Sequence, residues 1–162
     1  MRLQVERLQT IPGVGQRTTE VILAEIGPDM DPFPTAGHLA SWAGLCPGNH
    51  ESAGKRKTGR TRKGNQWLRA ALVEAAWAAS HTHRTYLASL FARVARRRGV
   101  KKAAVAVAHS ILVCAWHILT RDVAYADLGP DHFDHIKMER LTRYHIRRLE
   151  QLGLKVTIEK AA

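Results

Sequence analysis

Lys101 to Thr120, KKAAVAVAHSILVCAWHILT, decides how this chain folds. Val105, Ala108, Leu112, Ala115 and Leu119 recur three or four residues apart, with Trp116 beside them, so the stretch predicts a long helix at the centre of a helical core. Before it, Thr85 to Arg98 predicts another helix, whose last residues Arg96, Arg97 and Arg98 suit a helix C-terminus and which Gly99 stops. From Asn65 onward Leu68, Leu72, Ala75, Ala76 and Ala79 repeat at helical spacing while Arg69 and Glu74 face away, and so many alanines imply close packing. After the central stretch, Tyr125 to Phe133 reads as irregular, Lys137 to Leu152 as a helix bearing Arg140, Arg143, Arg147 and Arg148, and Leu154 to Ile158 as a short strand.

The N-terminal third continues the helical pattern. Arg2 to Gln9 has Leu3, Val5 and Leu8 apolar between charges, and the segment 8–27 gives a helix, a tight glycine turn and a second helix closed by Gly27 and Pro28. Asp29 to Pro34 is a loop, after which Thr35 can N-cap a short helix through Trp42. The expected fold is therefore mostly α: one compact helical domain over 1–162, with a helix-hairpin-helix at 8–27, a long basic loop at 44–65 and one short C-terminal strand. No internal repeat is evident.

Composition narrows the partners. The 162 residues are 45% hydrophobic, enough for a single core, and carry a formal charge of +11. That excess favours a phosphate backbone or another anionic surface as ligand. No run approaches the roughly 18 uninterrupted apolar residues of a spanning helix, and Met1 to Thr10 is too polar for a signal peptide, so no membrane partner is expected. Cys46 and Cys114 are far apart and without a CxxC spacing, which suits a reducing cytoplasm and neither a disulfide framework nor a zinc knuckle. His81 with His83, and the cluster Asp131-His132-Phe133-Asp134-His135, lack the four convergent ligands of a structural zinc site, so no metal is assigned.

Two motifs carry chemistry. In Ile11-Pro12-Gly13-Val14-Gly15 the glycines permit close backbone approach, and amides opening the second helix present donors and a positive dipole end to a phosphate. This turn resembles the helix-hairpin-helix of DNA repair and recombination proteins, which implies backbone contact through Gly13, Val14 and Gly15 without base readout. The alternative is a packed turn with no ligand. A dinucleotide fingerprint fails, since Thr18 stands where a third glycine belongs and the preceding segment is helical.

The second motif is Gly44 to Asn65, GLCPGNHESAGKRKTGRTRKGN. Lys55, Arg56, Lys57, Arg60, Arg62 and Lys63 follow one another with no acid among them, and Ser52 stands just ahead. A serine attacks a phosphodiester when its proton is removed and the charge growing on the phosphorus-bound oxygens is met by fixed cations, a service arginine forks suit best. The plainer alternative is a solvated nucleic-acid contact with no catalysis.

The succession of the Ile-Pro-Gly-Val-Gly hairpin, Ala43-Gly44-Leu45-Cys46-Pro47, Ser52-Ala53-Gly54-Lys55, the basic run to Lys63-Gly64-Asn65, Trp67-Leu68-Arg69 and Tyr125-Ala126-Asp127-Leu128-Gly129 resembles one family over nearly the whole chain. It is similar to the C-terminal Tnp domain of the DEDD-type, bridge-RNA-guided insertion-sequence transposases of the IS116, IS110 and IS902 type. The resemblance implies that Ser52 is the nucleophile forming a phosphoserine link with DNA; from position and charge, Arg69 and the basic run are expected to bind DNA. It also implies a guide RNA, homo-oligomers assembled around two DNAs, and a bacterial, nucleoid-associated location in the cytoplasm. Ala53 departs mildly from the Gly-Gly expected after the serine. Divalent metal such as Mg is expected only on an acidic RuvC-like domain absent from this chain, so no cofactor is assigned here. The sequence starts within a helix expected to lead out of that domain, and the chain is expected to be a C-terminal piece, cut or truncated, incomplete for catalysis. Two other classes stay open: a non-enzymatic DNA- or RNA-binding module, and a structural oligomerisation unit pairing Ala-rich helices.

Overall fold

The computed structural model describes residues 2–48 and 50–157, leaving the side chains of 50–52, 56–58, 137 and 139 outside that description. The elements are α1 (Arg2–Leu8), α2 (Gln16–Ile26), α3 (Ala36–Trp42), β1 (His50–Ser52), β2 (Lys55–Thr58), α4 (Gln66–Ser80), α5 (Tyr86–Arg98), α6 (Val100–Arg121) and α7 (His132–Gln151). Helix α6 is the hub, lying against α5, α4, α3 and α1, while α2 packs on α4 and α1. By length and composition α6 is also apolar enough to cross a membrane. In the fold it is the axis around which the other core helices gather.

Local chemistry fixes the helix ends. Thr35, Asn65 and Thr85 each accept a hydrogen bond on the side chain from the amide three residues on, at 3.2, 3.0 and 3.3 Å, which satisfies a donor the helix itself leaves unpaired. Gly99 sits at φ +85° between α5 and α6, a conformation that turns the chain sharply and that side chains with a Cβ resist.

The buried stripe of α4 is Leu68, Leu72, Ala75, Ala76 and Ala79, as its spacing requires. The buried set of α6 is wider and rotated from the expected one: Ala103, Ala104, Val107, Ala108, Ile111, Leu112, Ala115 and Ile118 are enclosed. Val105 and Leu119 are only partly covered. A helix flanked on several sides is apolar nearly all round, so no single stripe in its sequence stands out.

Two other expectations are corrected. Residues 154–157 form no strand, and Ile158 lies outside the described residues. The long basic loop instead contains the two strands, paired antiparallel. Helix α7 also starts at His132, within the stretch expected to be irregular. Its attachment runs through the preceding strap, where Asp127 Oδ1 accepts from the amides of Tyr86 (3.0 Å) and Gly129 (2.7 Å) and Oδ2 accepts from the Tyr125 hydroxyl (3.2 Å). The Tyr86 ring then stacks on Phe133 with centroids 5.1 Å apart. Burial, reinforced by the Asp127 charge, pushes the Tyr125 hydroxyl pKa up, and burial pushes the Cys114 thiol up to about 11. Beyond this root α7 leaves Met138, Leu141 and Tyr144 exposed, as is Leu152 just past its end.

Candidate nucleic-acid interface

The basic segment is a hairpin. Ser52 pairs with Lys55 across Ala53 and Gly54, whose φ values are +51° and +72°. Two successive left-handed residues between paired strands make a tight two-residue turn whose twist matches that of the strands it joins. Glu51 pairs with Arg56 and His50 with Thr58, with the register slipping between His50 and Glu51, so one residue of β2 bulges. The pairing extends beyond the strands, because Gly48 N–H donates to the Arg60 carbonyl at 3.0 Å and Pro47 is bridged to Thr61.

The root of the hairpin is built into the helical core. Gly44, at φ +69°, and Gly64 bring two backbones together so closely that a Cβ on Gly64 would stand 2.4 Å from the carbonyl carbon of Ala43 and the nitrogen of Gly44. Only hydrogen at both positions permits that approach. Asn65, besides capping α4, donates its amide to Glu25 of α2. Arg69 donates to the Gly44 carbonyl at 3.4 Å. This guanidinium is half-buried and ties the hairpin's base to α4.

The expected cations divide accordingly. Lys55, Arg60, Arg62 and Lys63 are exposed along the hairpin and its return to α4. Arg56 and Lys57 lie on β2 by backbone, and Ser52 closes β1 at the turn; the side chains of these three are outside the described residues. The serine and the exposed cations therefore belong to one short projection. Between α3 and that projection, Ser41, Cys46, Pro47 and Arg62 line an open cavity of about 180 Å³.

The Gly13 to Gly15 turn presents less to a ligand than its sequence suggests. Gly13, at φ +84°, is pressed onto α4: a Cβ there would lie 2.4 Å from the Ala75 carbonyl oxygen and 2.5 Å from the Ala79 nitrogen. Val14 is buried, and its amide donates to the Ile11 carbonyl at 3.0 Å, so it has no donor left for a phosphate. Gly13 thus packs against α4, and the Val14 amide is spent within the turn. Gly15 differs. It is exposed, nothing lies within 4 Å of where its Cβ would be, and it stands at the N-cap of α2 with no side-chain cap. The first-turn amides of Gln16, Arg17 and Thr18 have no intrahelical acceptor.

A second basic area lies on α7, where Arg140, Arg143, Tyr144 and Arg147 border a shallow depression of about 460 Å³. Among the described residues no three of His, Cys, Asp or Glu come together to hold a metal ion. Asp127, Glu25 and Asn65 were not singled out by the sequence as site residues. The partners that make them matter lie up to 41 positions away in the chain, where no local pattern could reveal them.

A family model described as Transposase IS116/IS110/IS902 family matches residues 5–92, which include the end of α1, α2 to α4, the hairpin and the first half of α5. Among curated proteins, the transposase for insertion sequence element IS1111A of Coxiella burnetii is 34% identical over 124 residues, 74% of this chain and 34% of the relative. The insertion element IS110 uncharacterized 43.6 kDa protein of Streptomyces coelicolor is 44% identical over 84 residues, 49% of this chain and 20% of the relative. A pilin gene-inverting protein of Moraxella bovis is 51% identical over 45 residues, 28% of this chain and 14% of the relative. The chain spans about a third or less of the length of these relatives.

Proposed function

This chain belongs to the transposase IS116/IS110/IS902 family, and we propose that its part in strand exchange is to hold DNA backbone on the hairpin and to supply the attacking hydroxyl of Ser52. The observation that carries this reading is the hairpin itself. It gathers Ser52, Lys55, Arg60, Arg62 and Lys63 on one projection whose base is locked by Gly44 and Gly64. Cations on a fixed support lose little freedom when they meet a phosphate, and so hold it better than a free tail would.

In the proposed step the Ser52 Oγ–H gives its proton to a base, Oγ bonds to phosphorus, and the bond from phosphorus to a sugar oxygen breaks, that oxygen leaving with a proton. The result is a phosphoserine link that conserves the energy of the broken ester for rejoining. Lys55 and the arginines would balance charge on the non-bridging oxygens. The open N-terminus of α2 at Gly15 would make a second, sequence-independent backbone contact of the helix-hairpin-helix kind. Divalent metal, guide RNA and a homo-oligomer around two DNAs would come with an acidic partner domain in the bacterial cytoplasm. The chain alone would bind without recombining.

Charge and hydroxyl are tested separately. Replacing Lys55, Arg62 and Lys63 together by alanine should flatten the dependence of log affinity on log salt by about 2 to 3 units and weaken duplex binding on the order of a hundredfold near 0.1 M salt. An unchanged slope by fluorescence anisotropy would remove the hairpin from the interface. In a longer protein that includes the acidic domain, Ser52→Ala should abolish the covalent protein–DNA species on denaturing gels; its persistence would reassign the nucleophile.

A further inference from the structure

The chain has four tryptophans, and three of them are accounted for within the fold. Trp116 donates its indole N–H to the Phe33 carbonyl at 2.8 Å. Trp42 packs against Phe33 and Trp77 against Phe91, with ring centroids 5.4 and 5.3 Å apart. Trp67 has no such partner among the described residues and is 69% exposed. Leaving an indole in water forfeits a large apolar gain, so its place calls for a physical reason.

Its surroundings supply one. Trp67 is the second residue of α4, beside the fully buried Leu68, and the helix start is fixed by the Asn65 cap and its bond to Glu25. The position of the ring's attachment is therefore set by the core. Side chains on a helix lean toward its N-terminus, and the residues just ahead of Trp67 in the chain are Arg62, Lys63 and Gly64 at the root of the hairpin. Its neighbours one turn on are Ala70 and Ala71, too small to cover the ring. No acid occurs between Ser52 and Val73, so every charge carried by this stretch is positive, and Glu25 meets it at Asn65.

An open aromatic face on a fixed attachment, close in the chain to exposed cations, is an arrangement that binds an unpaired nucleotide, with the base on the ring and the phosphate on the charges. A duplex offers no such face along its length, because its bases are stacked on one another. We propose that Trp67 is a stacking platform for one unpaired base of a single-stranded nucleic acid whose phosphates lie on the Arg62–Lys63 segment. This deepens the backbone-binding reading given above and rests on it. It adds a preference for an opened strand at the place where Ser52 would act.

The test compares wild type, Trp67→Ala and Trp67→Phe of this chain by anisotropy. The probes are a short mixed-sequence DNA strand, the RNA of the same sequence, the DNA strand carrying abasic sites, and a closed DNA duplex without free ends. Trp67→Ala should weaken binding of the intact strand roughly 5- to 100-fold while leaving closed-duplex binding within about twofold, and Trp67→Phe should keep most of the affinity. Wild type should lose a comparable factor on the abasic strand. Whichever of DNA and RNA shows the larger loss identifies the strand held. Equal binding of the intact strand by wild type and Trp67→Ala overturns the proposal. So does an equal loss on duplex and abasic strand, or no single-strand binding by wild type. Failure of the Lys55, Arg62 and Lys63 substitutions to matter sinks the backbone reading; a result in which they matter and Trp67 does not sinks this inference alone. If Trp67→Ala lowers the thermal midpoint, the Phe variant and the abasic strand still decide.

Discussion

The turn at Gly13 to Gly15 and the hairpin turn at Ala53 and Gly54 are both tight, glycine-bearing reversals, and their sequences suggest the same ligand. The fold uses them in opposite ways. Gly13 faces inward, its missing side chain filled by the backbone of α4, and Val14 spends its amide on Ile11. Gly54 has open space where a Cβ would be, at the tip of a projection followed by exposed cations. A glycine can thus serve a neighbour inside the fold or a partner outside it, and the space around the absent Cβ tells which.

The largest expected effect breaks the first turn. Gly13→Ala combines a left-handed backbone with backbone atoms 2.4 and 2.5 Å from the new methyl, so it should cost about 2 to 5 kcal/mol. At roughly 2 to 4 °C per kcal/mol for a chain of this size, the thermal midpoint should fall on the order of 10 °C by circular dichroism. An unchanged midpoint would mean that Gly13 does not pack on α4. Two residues on, Gly15→Ala meets no atom and keeps an ordinary φ of −93°. Its stability cost should stay below about 1 kcal/mol, while duplex affinity should drop if a phosphate sits against the α2 N-terminus. Full retention of affinity would withdraw the second backbone contact and leave the hairpin as the interface.

The smallest effect sharpens the other side. Ala53 holds φ +51° where glycine would be at ease, so Ala53→Gly should relieve about 1 kcal/mol of local strain. Because the hairpin tip is remote from the core, the gain should be seen as several-fold slower hydrogen exchange of the paired Ser52 and Lys55 backbone. The global midpoint should hardly move. Faster exchange would mean that the turn does not adopt the left-handed form.

These contrasts explain what the sequence could carry. The stripe of α4 was legible because one side of that helix is buried, and the caps Thr35, Asn65 and Thr85 were legible because capping is local. The orientation of α6 was not, since neighbours on several sides make its periodicity ambiguous. The hairpin was hidden for a different reason. Its strands are three and four residues long, the sequence Lys-Arg-Lys-Thr shows no alternation of apolar and polar residues, and the turn is Ala-Gly where Asn-Gly would have announced it. Its positive charge and its serine were plain from the sequence. The mooring of Arg69 on Gly44 was not, because its partner lies 25 positions away in the chain.

The crossing of Gly44 and Gly64 has a mechanical side. Two main chains that meet with only hydrogen between them leave no compliant side chain to absorb a tug, and the next connections lead through Asn65 to Glu25 and through Arg69 back to Gly44. Tension on a strand gripped at the hairpin tip would pass straight into α2 and α4. The projection would act as a lever with its pivot in the core, able to resist a recoiling strand end and not merely to touch it.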